Sequence, residues 1–339
     1  MTNYQIISDC GHGLLADRLD ELYTRTKVWL DSERHEGRQL IAAKFYLTDI
    51  ANQEPELMRS RLMADTIAGA ACTVIQQPPV GGSKVAVLLK TGDEPSPFVL
   101  HSLRLTDGEV MNFGSYLQTV MLFDKYKALL KERGLSLERH CVRTWIYVRD
   151  IDTNYDGMVK ARNDIFRQHG LTADTHFIAS TGIGGRSAGK NVSVAIDFLT
   201  CPEVKDGDIT YLHATDHLNP THQYGVAFER GTRIDHQGAE STIFISGTAS
   251  INEKGEVINV GNVEKQTERL LENIGALLND GGATMEDIRY FIIYLRDIAD
   301  APTVDSYMQR AFPRVPRLLT FAKVCRPAWL VEMECVATL

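Results

Sequence analysis

The chain has 339 residues, 44% hydrophobic and 24% charged, and its 36 basic and 44 acidic side chains give a net charge of −8. These values suit two or three globular domains of about 150 residues each and exclude disordered, collagen-like and coiled-coil chains. The acidic balance argues against a broad nucleic-acid-binding face, no apolar run approaches the ~18 residues of a membrane helix, and residues 1–11 lack a basic start followed by an apolar run.

A soluble, cytoplasmic protein is therefore expected. Residues 4–7 precede a first helix whose Leu15, Leu19, Leu22, Tyr23, Trp29 and Leu30 fall mostly three or four apart, as on one helical face. Tyr46-Leu47-Thr48-Asp49-Ile50 follows, then a polar helix-compatible stretch and a strand over 84–89. Segments 98–105 and 109–113 flank Asp107-Gly108, a hairpin-type pair. A second helix ending in Ala128-Leu129-Leu130 leads to Tyr147-Val148-Arg149-Asp150-Ile151 and a strand over 191–199. Residues 200–238, rich in His, Asn, Pro and Gly, read as a long loop, a length that is usually functional or mobile. Strands over 242–246 and 257–260 flank 253–255, and a third helix carries Leu270, Leu271, Ile274, Leu277 and Leu278. Tyr294-Leu295-Arg296-Asp297-Ile298 and a final strand over 329–337 close the chain.

The same series thus occurs three times. From Leu30 to Asp49, Leu130 to Asp150 and Leu278 to Asp297 the gaps are 19, 20 and 19 residues. Chance rarely repeats both the words and the spacing, so the chain divides into three units that each read helix, strand, helix, strand: an α+β organisation. Boundaries near Gly92 and Lys205 give units 1–92, 93–205 and 206–339. The first looks truncated, with only residues 4–7 ahead of its helix, and the third begins with the long loop.

Several residues stand out as chemistry. Glu332 and Glu334 alternate with Val331, Met333 and Cys335 on the last strand, so both point to one face. A carboxyl on so apolar a strand has a raised pKa, which suits a general acid; a structural carboxylate paired with an arginine is the alternative. Arg143 and Tyr147 share one strand face, and Arg230 in Phe228-Glu229-Arg230-Gly231 is either a substrate contact or an edge charge. Ser246-Gly247 ends a strand where backbone amides can meet an anion, glycine permitting close approach. Thr181 and Tyr224 offer hydrogen bonds to a polar ring. Arg317, after Pro316, is a planar fork fit for a carboxylate or for a surface ion pair.

Four other features are set aside. Residues 184–191 nearly spell a phosphate-binding loop but lack its final Ser/Thr and lead into a strand. His213, His217 and His222 with Asp216 have no helix to fix a metal-ligand spacing, so no metal is expected. The six cysteines form no CxxC pair and read as reduced thiols. Asn191-Val192-Ser193 would be glycosylated only on a secretory route.

The third unit resembles the Rid (YjgF/YER057c/UK114) family of small-molecule deaminases. The resembling words are Phe244-Ile245-Ser246-Gly247, residues 261–267, Tyr294–Asp297, and Pro316-Arg317 followed by Val331-Glu332-Met333-Glu334. Rid proteins are trimers of an α+β unit, a mixed sheet on two helices, with ligands between subunits. The resemblance together with the repeats implies three tandem Rid-like (chorismate-mutase-like) units forming an intramolecular pseudo-trimer. From about residue 140 onward the chain also resembles the chorismatases, enzymes of the same fold that release pyruvate from chorismate. The matching words are residues 143–147, 179–184, His217 with Pro220-Thr221 and Tyr224-Gly225, and Val324-Cys325-Arg326 with Leu330-Val331-Glu332.

The resemblance implies a cofactor-free enzyme for a small carboxylate metabolite, with Glu332 as the catalytic proton donor to an enol ether, or as proton shuttle in imine hydrolysis. Arg317, standing 15 residues before Glu332, matches the Rid arginine that grips a carboxylate, so arginines with Arg317 foremost are the expected anion binders. One departure is visible: where chorismatases carry an arginine after the third Asp, this chain has Asp305-Ser306. A Rid-type imine or enamine deaminase and a non-catalytic metabolite-binding protein are the alternatives, and the family label of endoribonuclease or translation inhibitor sits poorly with the charge. A monomer without nucleic-acid or membrane partners is the expected state.

Overall fold

The computed structural model describes residues 2–236 and 240–339, which form three sheets. The first holds β1 (Asn3–Ser8), β2 (Gln39–Leu47), β3 (Ala71–Gln76) and β4 (Val85–Gly92), with α1 (Leu15–His35) and α2 (Ile50–Arg59). The second holds β5 (Val99–Leu103), β6 (Cys141–Val148), β7 (Ala179–Gly184) and β8 (Val194–Thr200). Its helices are α3 (Asp107–Val110), α4 (Ser115–Glu132), α5 (Leu137–His140) and α6 (Ile151–Gln168). The third holds β9 (Ile209–Leu212), β10 (Gly231–Ile234), β11 (Thr242–Ala249), β12 (Ile288–Leu295), β13 (Arg317–Phe321) and β14 (Val331–Thr338), with α7 (Val263–Asp280) and α8 (Ala301–Ala311).

The strand orders β1-β4-β2-β3, β5-β8-β6-β7 and β11-β14-β12-β13 are one pattern used three times, extended in the third sheet by β10 and β9 beyond β11. In each, one pair is parallel (β2 with β3, β6 with β7, β12 with β13) and is joined across a helix; the others are antiparallel. Each central antiparallel pair also slips register at the matching place, between Leu40 and Ala42, Cys141 and Arg143, and Ile288 and Tyr290. The chain is a three-unit α+β protein.

The repeated Tyr-x-x-Asp word has a structural cause. Tyr46, Tyr147 and Tyr294 are fully buried near the end of the central strand of each unit. The Asp three residues later turns the chain into the next helix; Asp297 does so with a side chain that accepts from the Ala299 N–H at 2.9 Å. Helices cover the outer face of each sheet, enclosing a separate core per unit, such as Leu270, Ile274 and Leu277 of α7 against Phe291 and Ile293. The inner faces meet in a fourth cluster that contains all three tyrosines. Strands buried on both faces read as nearly continuous apolar runs, which is why they were legible.

Four local expectations are corrected. Asp107-Gly108 opens α3 rather than a hairpin, because Thr106 and Glu109 form a capping box, and 109–113 is no strand. Residues 257–260 make only an isolated bridge, Val257 to Ile251. The stretch 200–238 is not all loop: β9 and β10 lie in it, β10 pairing onto the edge that β11 offers and β9 onto β10. The first unit is not truncated either, since its sheet has the same four strands as the second. Of the 200–238 stretch, residues 237 and 238 lie outside the described residues. Among the described residues no helix is long and apolar enough to cross a membrane.

Candidate active site

Glu332 sits on β14 between Tyr294 of β12 and Ala249 of β11, with its side chain at the seam between the second and third sheets. In the other two sheets the residues paired with the matching tyrosines are Ala195, opposite Tyr147, and Ala86, opposite Tyr46. Only the third unit therefore carries an acid at this level. Gly247 makes room for it: a Cβ there would lie 2.0 Å from Glu332 Oε1. Burial, with the charge of nearby Glu334 adding to it, pushes the Glu332 carboxyl up to about 8, against the pull of Arg143 and Arg230.

Two buried arginines face the same pocket. Arg162, on the inner side of α6, is 2% exposed, and its Nε and Nη2 have no partner within the protein. Burial lowers its pKa without removing its charge at neutral pH. Arg230 donates from Nη2 to the Asn219 carbonyl at 2.9 Å and to its Oδ1 at 3.1 Å, leaving Nε unpartnered. The guanidiniums lie 5.8 and 5.5 Å from the centre of the Phe228 ring, and that of Arg230 lies 5.5 Å from Tyr224. Tyr155 of α6, Ser180 and Gly182 of β7, and Cys325, Arg326 and Trp329 from the segment after β13 complete the walls. Burial pushes the Cys325 thiol up to about 12, so it is no nucleophile at neutral pH.

Glu334, two residues along the same strand, has a different environment. It accepts from Arg143 Nη2 at 2.9 Å, from Trp145 Nε1 at 2.9 Å and from Thr181 Oγ1. Arg143 in turn donates to Ser246 Oγ at 3.0 Å and to Thr181. Thr181 Oγ1 also accepts the Gly247 N–H at 2.9 Å, so that amide is spent within the protein. Arg143, Thr181, Ser246 and Glu334 are thus one satisfied, buried network beside the Glu332 pocket.

Of the residues singled out in the sequence, Glu332, Gly247, Tyr224 and Arg230 come together here. Arg143, Thr181 and Ser246 stand one layer away in the Glu334 network. Tyr147 donates its hydroxyl to Asp197 at 2.9 Å in the shared interior and does not line the pocket. Arg317 lies elsewhere: it begins edge strand β13, pairs with Asp305 at 3.0 Å, and its strand bonds to residues 78–80 of the first unit. Register explains the separation. Arg317 is opposite Phe291, three residues before Tyr294; in the second unit that place, opposite Thr144, is Ser180. The arginine predicted from spacing thus faces the neighbouring seam, and the seam of Glu332 has a serine there. Arg162, Tyr155, Phe228 and Trp329 went unread. A signal for Arg162 existed: it lies seven residues after Tyr155, among the buried Met158, Ala161 and Ile165, where a helix facing a core seldom carries charge. Among the described residues no group of three or more His, Cys, Asp or Glu is placed to hold a metal.

Comparison with known proteins bears on the family and the fold. The family described as Endoribonuclease L-PSP matches residues 229–339, the third unit. The 3-aminoacrylate deaminase RutC of Acinetobacter baylyi is 31% identical over 101 residues, 29% of this chain and 80% of that protein. A RutC family protein of Pyrococcus abyssi is 32% identical over 98 residues, 28% of this chain and 76% of that one. Over the whole length, the fold is like that of a chorismatase crystal structure: TM-score 0.69, 18% identity, 99% of this chain and 98% of the other.

Proposed function

Because this chain belongs to the Rid superfamily, with the three-unit fold also seen in a chorismatase, we propose that it is an enzyme acting on a cyclic dicarboxylate of chorismate type at the Glu332 pocket. The observation that carries this reading is a buried carboxyl, its pKa raised to about 8 by burial, facing two buried arginines with free donors. Separate guanidiniums suit separate carboxylates, and a neutral acid between them suits proton donation to carbon.

The step follows from that arrangement. The Glu332 carboxylic acid gives its proton to the terminal methylene carbon of an enolpyruvyl ether. The electrons of the C=C bond form the new C–H bond and leave an oxocarbenium at the ether carbon. The Glu332 carboxylate, now charged and desolvated, stabilises that cation. Water adds to the cationic carbon and returns a proton to Glu332, and the hemiketal collapses to pyruvate and a ring alcohol. Arg162 and Arg230 hold the carboxylates throughout, so no cofactor is needed. The pocket spans only about 30 Å³, room for a water or two, so a ring-sized substrate enters by displacing the exposed side that carries Arg326. One chain supplies both sides of the seam, which favours a self-sufficient pseudo-trimer.

Incubation with chorismate, coupled to a pyruvate assay, tests this. Release of pyruvate that Glu332→Gln abolishes while the variant stays folded is the expected result. Ammonia from an amino-acid-derived enamine, with no pyruvate, would instead select the deaminase reading that the RutC likeness favours. Binding of chorismate without turnover would leave a metabolite-binding protein.

A further inference from the structure

A second cavity, of about 270 Å³, lies between the inner faces of the sheets, on the far side of the Arg143–Glu334–Thr181 network from Glu332. Its walls are largely apolar and include the rings of Tyr4, Phe98, Trp145, Phe244 and Tyr290. Two ammonium groups enter it from the first sheet. Lys44 Nζ is 4.9 Å from the centre of the Tyr147 ring and 5.1 Å from that of Trp145, and Lys90 Nζ is 4.9 Å from that of Phe98.

Lys44 and Lys90 are diagonal neighbours on one face of adjacent antiparallel strands, since Lys90 is opposite Ala42 and Lys44 opposite Leu88. Like charges at that spacing repel. Among the described residues neither lysine has an ion pair or hydrogen bond to relieve this. The acids in the walls are committed elsewhere: Glu334 to Arg143, and Asp197 to Arg104 at 3.0 Å with Tyr147 and Thr73 also donating to it. Glu94, the remaining acid lining the cavity, is exposed. Burial lowers the pKa of both lysines, that of Lys90 to about 8, so each costs stability as long as the cavity holds no anion.

We propose that this cavity is a second binding site, distinct from the Glu332 pocket, for a small aromatic carboxylate whose ring meets the aromatic side chains of the walls and whose carboxylate meets Lys44 and Lys90. Two cations whose neighbouring acids are bonded to Arg143 and Arg104 supply the anion specificity, and ring faces supply the apolar contact.

Calorimetric titration of the full chain with benzoate, and with its uncharged analogue benzamide, tests the assignment. Benzoate is expected to bind at one site, benzamide at least tenfold more weakly. Lys44→Met and Lys90→Met should each weaken benzoate at least tenfold and melt no lower than the wild type, because methionine keeps the stem and removes an unpaired charge. Glu332→Gln should bind benzoate within twofold of wild type. Equal affinity for the two ligands, affinity unchanged in both lysine variants, loss of binding in Glu332→Gln, or no binding at millimolar benzoate would each overturn the proposal. The benzoate-to-benzamide ratio needs no variant and stands even if one misfolds.

Discussion

At the seam between the second and third sheets, Glu332 shares a pocket with Gly247, Arg162 and Ser180. At the seam between the third and first, the corresponding strand positions are Ala86 and Arg317, the latter already tied to Asp305. The core strand order and the bulge of each central pair are the same, but β11 adds a register shift against β14 between Ile245 and Thr248, at Gly247 beside Glu332, that β1 and β5 lack. Beyond that bulge, what differs is a handful of side chains: one seam keeps a buried acid with no compensating ion pair, while the other satisfies its arginine locally. A tandem chain allows this, because each seam can diverge alone, whereas three identical subunits must change together.

The first way to break the comparison is by pH. Glu332 titrates near 8 in the folded state and near 4.5 when unfolded. Between those values the native state holds a proton that the unfolded state has released. Stability from this group is therefore full below about 4.5 and is lost as pH rises through 8, by on the order of 5 kcal/mol. Urea unfolding from pH 4.5 to 9 should show wild type losing ground to Glu332→Gln across that window and running parallel above it. Turnover of the wild type should fall above pH 8 as the acid ionises. Parallel stability curves throughout would mean the carboxyl is paired after all.

Glu334 is the control on the same strand. Removing its partner with Arg143→Met leaves a buried carboxylate uncompensated, at a cost of about 3–5 kcal/mol. A loss under 1 kcal/mol in denaturant unfolding would show that water reaches this network. The third effect separates the two seams directly. Arg162→Met should lower kcat/KM about 100-fold, roughly 2.7 kcal/mol, with little loss of stability, since its unpartnered donors serve the ligand and not the fold.

The fold was legible because its signals are local and repeated. The Tyr-x-x-Asp words mark where each central strand gives way to a helix, and the apolar stripe of α7 marks the packed face of that helix. Strands β9 and β10 were not legible, being four residues each and held by long-range pairing, β10 onto β11 and β9 onto β10. At the site, alternation along β14 gave Glu332 and its face, but it could not say that Glu334, two residues on, would meet Arg143 while Glu332 met none. The Thr106-to-Glu109 capping box was present in the sequence and lost to the stronger look of Asp107-Gly108. Distant partners were the real limit: Arg162 and Glu332 are 170 residues apart, and only the packing of α6 against the seam joins them.

The smallest expected effect is the sharpest test of the seam assignment. Spacing alone makes Arg317 the anion binder; its position makes it an edge-strand residue held by Asp305, half-exposed, at 3.0 Å. An ion pair of that kind contributes about 0–1 kcal/mol, because solvent screens it and two side chains lose freedom to form it. Arg317→Met should accordingly shift the unfolding free energy by no more than about 1 kcal/mol and leave kcat/KM within twofold of wild type. Asp305→Asn should match it, and the double variant should add nothing beyond either single change, since each removes the same pair. A 100-fold loss of kcat/KM in Arg317→Met, with Arg162→Met near wild type, would move the reaction to the other seam, where Ala86 offers no acid, and would leave Glu332 without a part in it.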